Sequence, residues 1–134
     1  MSAEHRVTYV DSSAIVKLAV AEPESTALRQ YLSRRRPLVS STLAQTEVAR
    51  ALMPSGPEAV ARGEFVLRRI QLLRVNDRVL TEAGQITPTE LRSLDAIHLA
   101  SARQLGASVR QIVTYDERMA EAAKACGWAV SSPH

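Results

Sequence analysis

Short runs of β-branched and apolar residues recur along this chain, each followed by a longer stretch of helical periodicity. That alternation limits the possible folds more than any other feature. Residues 6–10 carry Val7-Thr8-Tyr9-Val10 with no polar alternation, as in a strand covered on both faces. Asp11-Ser12-Ser13 then offers N-cap chemistry for a helix to about residue 20, stopped by Glu22-Pro23. Residues 24–33 continue as helix, with Leu28, Tyr31 and Leu32 on one face, and 37–40 form a short strand. Ser41-Thr42 caps a helix reaching Leu52, which Met53-Pro54-Ser55-Gly56-Pro57 breaks. A long amphipathic helix is predicted over 58–73, a weak strand at Arg74-Val75, a helix over 76–85 and a turn at Thr87-Pro88-Thr89. A helix over 93–105 ends at Gly106, a strand covers 111–115, and a helix over 116–125 stops at Gly127 before a last strand at 128–130. Strand, helix, strand with short connections predicts a three-layer α/β/α fold, its central parallel sheet having four or five short strands.

The chain has 134 residues, a length suited to a single domain over 1–134 that buries roughly two-thirds of its unfolded surface. Its 46% hydrophobic and 23% charged content excludes a disordered chain. No apolar run approaches the ~20 residues of a membrane-spanning helix. Met1-Ser2-Ala3-Glu4-His5-Arg6 lacks the basic-then-apolar pattern of a secretory leader, so a cytoplasmic location is expected. Cys126 is the sole cysteine, which excludes an internal disulfide and, with so few histidines, a structural zinc site. Net charge is +3, carried by 15 Arg against 2 Lys. Arginine's planar fork suits phosphates, although GC-rich coding enriches Arg and Ala without any functional cause. Arg34-Arg35-Arg36 is the densest basic cluster, either a solvated loop or a nonspecific nucleic-acid contact.

Three of the four aspartates fall where a metal-dependent phosphoryl-transfer site needs them. Asp11 and Asp116 each close an apolar strand run, and in parallel α/β sheets ligands bind beyond the carboxyl ends of the strands. Asp95 opens the apolar helical stretch Ala96-Ile97-His98-Leu99-Ala100, and Glu47 sits among Leu43, Val48, Ala51 and Leu52. Each acid alone has an ordinary explanation. Asp11 and Asp116 suit N-caps, Asp95 suits a first turn behind a Ser93 cap, and Glu47 suits a surface pair with Arg50. Jointly they point elsewhere, because carboxylates converging in a buried place repel one another and imply a cation. An all-oxygen set suits Mg²⁺ or Mn²⁺ and not zinc.

Tyr9-Val10-Asp11-Ser12-Ser13-Ala14 resembles the opening motif of PIN-domain ribonucleases, and Thr46-Glu47-Val48 resembles their helical glutamate. Leu94-Asp95-Ala96-Ile97-His98-Leu99-Ala100 is similar to their central aspartate motif, and Val113-Thr114-Tyr115-Asp116 to their final one. Order, spacing and length match small bacterial toxins of the VapC type, over residues 6–130. The resemblance implies an acidic quartet of Asp11, Glu47, Asp95 and Asp116 holding Mg²⁺, with Mn²⁺ able to substitute. Asp11 and Asp95 would be its main ligands, Asp116 helping directly or through water, and Glu47 binding a second ion or positioning water. Thr114 falls where the family often has a hydroxyl. Ser12 or Ser13 could orient Asp11, though capping is the simpler role for both. His98 reads as a packed helical residue, since the implied chemistry needs no histidine. The implied reaction is endonucleolytic RNA hydrolysis leaving a 5′-phosphate and a 3′-hydroxyl. The implied partners are an RNA substrate, a small antitoxin placing an apolar segment in a groove and a basic side chain in the acidic cleft, and a second copy of the chain.

Rival readings fit less well. An aspartyl phosphatase usually needs a second acid two residues after the first, where Ser13 stands; a phospho-receiver needs an acidic pair there. No glycine-rich turn follows a strand, as dinucleotide binding requires. The alternative that stays open is a non-cleaving PIN-like module that binds RNA or protein.

Overall fold

Seven α-helices and five strands alternate along residues 6–134, the part of the chain that the computed structural model describes. The reading of residues 1–5 as lacking a secretory leader lies outside these described residues. Strands β1 (Val7–Val10), β2 (Leu38–Ser41), β3 (Gln71–Leu73), β4 (Val109–Val113) and β5 (Val130–Ser131) form one sheet in the order β3-β2-β1-β4-β5. Every pairing is parallel.

Successive side chains of a strand leave opposite faces of the sheet, and the core divides accordingly. Val10, Leu38 and Val113 join a cluster with Ala14 and Ile15 of α1 (Ser12–Ala19), Leu28 and Leu32 of α2 (Ser25–Ser33), Val48 and Leu52 of α3 (Leu43–Leu52), and Leu67 of α4 (Pro57–Leu67). Tyr9, Val39 and Ile112 point the other way. They meet Val79 of α5 (Asp77–Ala83), Leu99 and Ala100 of α6 (Ser93–Arg103), and Met119 and Ala123 of α7 (Glu117–Ala125). The result is a three-layer α/β/α molecule with five strands, as the alternation of runs and helical periods predicts. Leu28 and Leu32 are core residues, while half-buried Tyr31 hydrogen-bonds Gln111 and Ser131.

Two segments differ from expectation. The helix predicted over 58–73 ends at Leu67, and Gln71–Leu73 is the edge strand β3 in place of the weak candidate Arg74-Val75. Ile70, Leu72 and Leu73 satisfy either period. Backbone pairing of Val39, Ser40 and Ser41 with Gln71, Leu72 and Leu73 decides for the strand. Strand β4 runs 109–113, not 111–115: the Thr114 N–H still donates to Ser131 O at 3.2 Å, and the chain then turns, with the Thr114 hydroxyl accepting from the Asp116 N–H at 3.0 Å. The last strand shifts the other way, from 128–130 to Val130–Ser131, in register with Ile112 and Val113. Gly127 ends the preceding turn at φ +98°, a left-handed conformation that costs glycine little.

The chain leaves β1 toward β2 and β3 and later returns to the other side of β1 as β4, so the order reverses between β1 and β4. Parallel α/β sheets bind ligands in the crevice at such a reversal. Asp11 follows β1 there, its N–H donating to Val113 O at 3.2 Å, and Thr114 follows β4. Among the described residues no helix is long and apolar enough to cross a membrane.

Helices α3 and α4 cross where Gly63 faces Val48 and Leu52; a Cβ there would lie 3.0 Å from Val48 Cγ1 and 2.7 Å from Leu52 Cδ1. Overpacking at such a contact costs ~1–3 kcal/mol. Gly63→Val should therefore lower the unfolding free energy by an amount in that range, read as a fall in the denaturant midpoint. Gly84→Ala, whose Cβ would meet only backbone oxygens at 3.5 and 3.8 Å, should leave the midpoint unchanged or raise it slightly.

Candidate active site

Asp11 begins as an N-cap, and the cap explains its placement at the strand end: its Oδ1 accepts from the Ala14 N–H at 3.1 Å. Further hydroxyls converge on the same carboxylate. Ser13 Oγ donates to Oδ1 at 2.6 Å and Thr114 Oγ1 to Oδ2 at 2.5 Å. The residue is only 4% exposed. Burial raises its pKa above the ordinary carboxylate range, partly opposed by these donors and by His98.

Asp116 caps α7 in the same way, its Oδ1 accepting from the Arg118 and Met119 N–H groups at 2.9 and 3.2 Å. Its Oδ2 instead takes the Arg92 guanidinium at 2.9 Å. Asp95 stands in the first turn of α6, but not behind a Ser93 cap: the cap position is Arg92, whose side chain makes no cap bond. Arg92 Nε lies 3.4 Å from Asp95 Oδ2, close enough to lend charge but not aligned as a hydrogen bond, and that oxygen is buried without a hydrogen-bond partner. Burial first, and then the neighbouring Asp116 charge, raise the Asp95 pKa, with Arg92 pulling the other way.

Glu47 does not pair with Arg50. From α3 it turns inward, where Oε1 accepts from Ser12 Oγ at 2.5 Å and from His98 Nε2 at 2.7 Å. Burial pushes its pKa up, and the bonds from His98 and Ser12 more than offset this, so the carboxyl sits below its usual value.

All four acids line one cleft of about 320 Å³ at the carboxyl end of the sheet, together with Ser12, Ser13, Arg92 and His98. Among the described residues no three His, Cys, Asp or Glu side chains already stand at ion-ligating separation. The acids border the cleft without closing on one point. The donor set nevertheless fits a hard divalent cation: it is all carboxylate oxygen, and Asp95 Oδ2 lacks a hydrogen-bond partner. Asp11, Asp95, Asp116 and Glu47 are the residues that would hold such an ion.

Several expectations need correction. Neither Ser12 nor Ser13 is primarily a cap: Ser12 binds Glu47, and Ser13 binds Asp11 while accepting from the Tyr115 N–H at 2.9 Å. His98 is packed, at 1% exposure, yet both ring nitrogens are engaged, Nδ1 lying 2.7 Å from the Tyr9 hydroxyl. Arg92 was not anticipated; its signal was a cation three residues before Asp95, one helical turn away. The Arg34-Arg36 cluster is not one patch. Arg35 stacks on the Tyr31 ring at 3.6 Å, while Arg36 borders a separate groove with Arg29, Arg62 and Arg69.

The PIN domain family model matches residues 8–125. Ribonuclease VapC46 of Mycobacterium tuberculosis is 57% identical over 125 residues, 93% of this chain and 96% of that protein. Ribonuclease VapC47 of the same species is 36% identical over 130 residues, with the same coverage. Among solved structures, M. tuberculosis VapC20, described as a sarcin–ricin loop cleaving toxin, superposes with a TM-score of 0.77 at 16% identity, covering 94% of this chain and 99% of that one. A toxin–antitoxin complex from Klebsiella pneumoniae gives 0.71 at 17% identity over 95% and 98%. The two structures share the three-layer fold described above.

Because the folded-state pKa of Asp95 lies above its unfolded value, folding disfavours the ionised form. The penalty is absent in acid, where both states are protonated, and is complete once the pH has risen through the folded value. Asp95→Asn should accordingly raise the melting temperature of the metal-free protein at pH 7, with the advantage shrinking toward zero near about pH 3. Thermal melts in EDTA across that range measure the difference; an advantage that grew in acid would contradict this account.

Proposed function

The chain belongs to the PIN-domain family and, within it, to the VapC ribonucleases, and on that footing we propose that it is the toxin of a toxin–antitoxin pair, a Mg²⁺-dependent endoribonuclease of the cytoplasm in which Mn²⁺ can substitute. One observation carries the reading: four carboxylates from the ends of β1 and β4 and from α3 and α6 line a single cleft. Buried acids in this number are costly unless a cation joins them.

A bound divalent ion would supply an acidified water and neutralise charge growing on the phosphate. The chain's own groups set the stage for hydrolysis. Ser13, Thr114 and the Ala14 N–H fix the Asp11 carboxylate, so it needs no reorganisation when substrate arrives. Asp95 presents Oδ2, and Asp116 keeps Oδ1 on its helix while Oδ2 faces Arg92. Arg92, 60% exposed, holds positive charge beside an otherwise acidic cleft, where an RNA phosphate has to enter. Water oxygen bonds to phosphorus, O3′ leaves as the 3′-hydroxyl, and the phosphate stays on the 5′ end of the downstream fragment.

The partner reading is supported by a second groove of about 340 Å³, where Leu18, Phe65, Val66 and Ile70 are bordered by four arginines. Phe65 is 57% exposed there. Such a surface suits an amphipathic antitoxin segment with acidic flanks, and the exposed apolar residues are consistent with self-association into a homodimer.

Incubation of purified protein with structured RNA in Mg²⁺, Mn²⁺ or EDTA tests the reading. Cleavage should require the metal and yield 5′-phosphate ends. Asp11→Asn and Asp95→Asn should each reduce it by more than the roughly 10–100-fold typical of losing an outer-shell partner, with folding retained. RNA binding without cleavage, indifferent to both substitutions, would instead establish a non-cleaving module.

A further inference from the structure

Four side chains on four different elements form a continuous polar chain beside the cleft. Tyr9 on β1 meets His98 Nδ1 at 2.7 Å, His98 on α6 meets Glu47 Oε1 at 2.7 Å through Nε2, and Ser12 on α1 reaches the same oxygen at 2.5 Å. Tyr9 and His98 are both buried, their rings edge to face with centroids 5.8 Å apart. No hydrogen bond to Glu47 Oε2 is found among the described residues.

The proton positions along this chain follow from its ends. A phenol keeps its proton at neutral pH, so the Tyr9 hydroxyl has a hydrogen to donate. A carboxylate only accepts hydrogen bonds, and an Nε2 only 2.7 Å from Glu47 Oε1 must carry hydrogen to face it. In the neutral imidazole that leaves Nδ1 as acceptor for the phenol. Tyr9 thereby selects the tautomer whose N–H points at Glu47.

We propose that His98, oriented by Tyr9, is a positioning residue for Glu47. With Ser12 it occupies one carboxylate oxygen and fixes the group's rotation, so that the second oxygen is the one available to the cleft. The arrangement is that of an outer-shell partner, in which an imidazole tethered from behind sets the orientation of an acid in front. This inference rests on the metal-dependent reading of the cleft, and its chemistry is confined to donation of a hydrogen bond. The role assigned to His98 is exerted through Glu47.

Three variants test it with two readouts. His98→Gln keeps an N–H donor near the Nε2 position; His98→Leu removes it while filling the space; Tyr9→Phe removes the group that fixes the tautomer. Mn²⁺ affinity of the purified proteins is measured by electron paramagnetic resonance titration, and RNA cleavage is measured as kcat and KM. His98→Leu should weaken Mn²⁺ binding and lower kcat by about 10–100-fold with KM for RNA little changed, His98→Gln should recover most of both, and Tyr9→Phe should fall between them. In a Glu47→Gln background, His98→Leu should cause no further loss, since its effect passes through the missing carboxylate.

Equal losses in His98→Gln and His98→Leu that follow their melting temperatures would overturn the proposal, as would additivity in the Glu47→Gln background. If the wild-type protein binds Mn²⁺ with the expected pattern among variants but cuts no RNA, the ribonuclease reading fails and the positioning role stands. If it cuts RNA with His98→Leu unimpaired, the reverse holds.

Discussion

A carboxyl group at 4% exposure is the constraint around which this end of the molecule is arranged. Removing a carboxylate from water is expensive, and it is tolerated only where donors replace the lost hydration. Asp11 receives three: a backbone N–H from the first turn of α1, the Ser13 hydroxyl and the Thr114 hydroxyl. Two of them come from the segment that follows β1 and the third from the end of β4. The donors are therefore in place only if those adjacent strands are paired in register. Thr114 in turn accepts from the Asp116 N–H, which links the second strand end to the cap of α7. Fold and site are coupled through these few bonds.

The same economy runs through the other acids. Asp116 divides its oxygens, one for helix α7 and one for Arg92. The ordinary explanation for the residue, a helix cap, holds at Oδ1, and Oδ2 is left to an ion pair at the edge of the cleft. Glu47 and Asp95 belong to opposite helical layers and border a common cleft only beyond the end of the central strand, where the sheet no longer separates them. Arg92 moderates the repulsion between Asp95 and Asp116 by lying within ion-pair distance of both.

Much of this was legible from residue order. The unbroken run Val7–Val10 and the helical periods after it specified a sheet covered on both faces, and aspartates closing two apolar runs specified where a ligand would meet it. The boundary between α4 and β3 was not legible, because Ile70, Leu72 and Leu73 suit either period and a pairing partner 32 residues earlier decides between them. Cap and candidate ligand cannot be separated at Asp11 from sequence, since the cap places the same carboxylate at the mouth of the cleft. Hydroxyl roles were hidden for a different reason. Whether Ser12 caps its own helix or reaches Glu47 depends on a neighbour that only the folded chain supplies. Tyr9 carried a faint signal as the lone ring in an aliphatic strand, and His98 as the lone imidazole on an otherwise small and apolar helix face.

The polar chain from Tyr9 through His98 and Glu47 to Ser12 passes around the end of β1 and joins the two helical layers. Elsewhere along β1 the layers are kept apart by the sheet and share no common core. The molecule resembles a closed book whose clasp sits at the mouth of the cleft. A fluctuation that released this clasp would let water reach both hydrophobic clusters from the same edge. Amide protons at the carboxyl ends of β1 and β4 would then exchange with solvent together, as one cooperative unit. The acids that line the cleft would in that way also set how often the protein breathes.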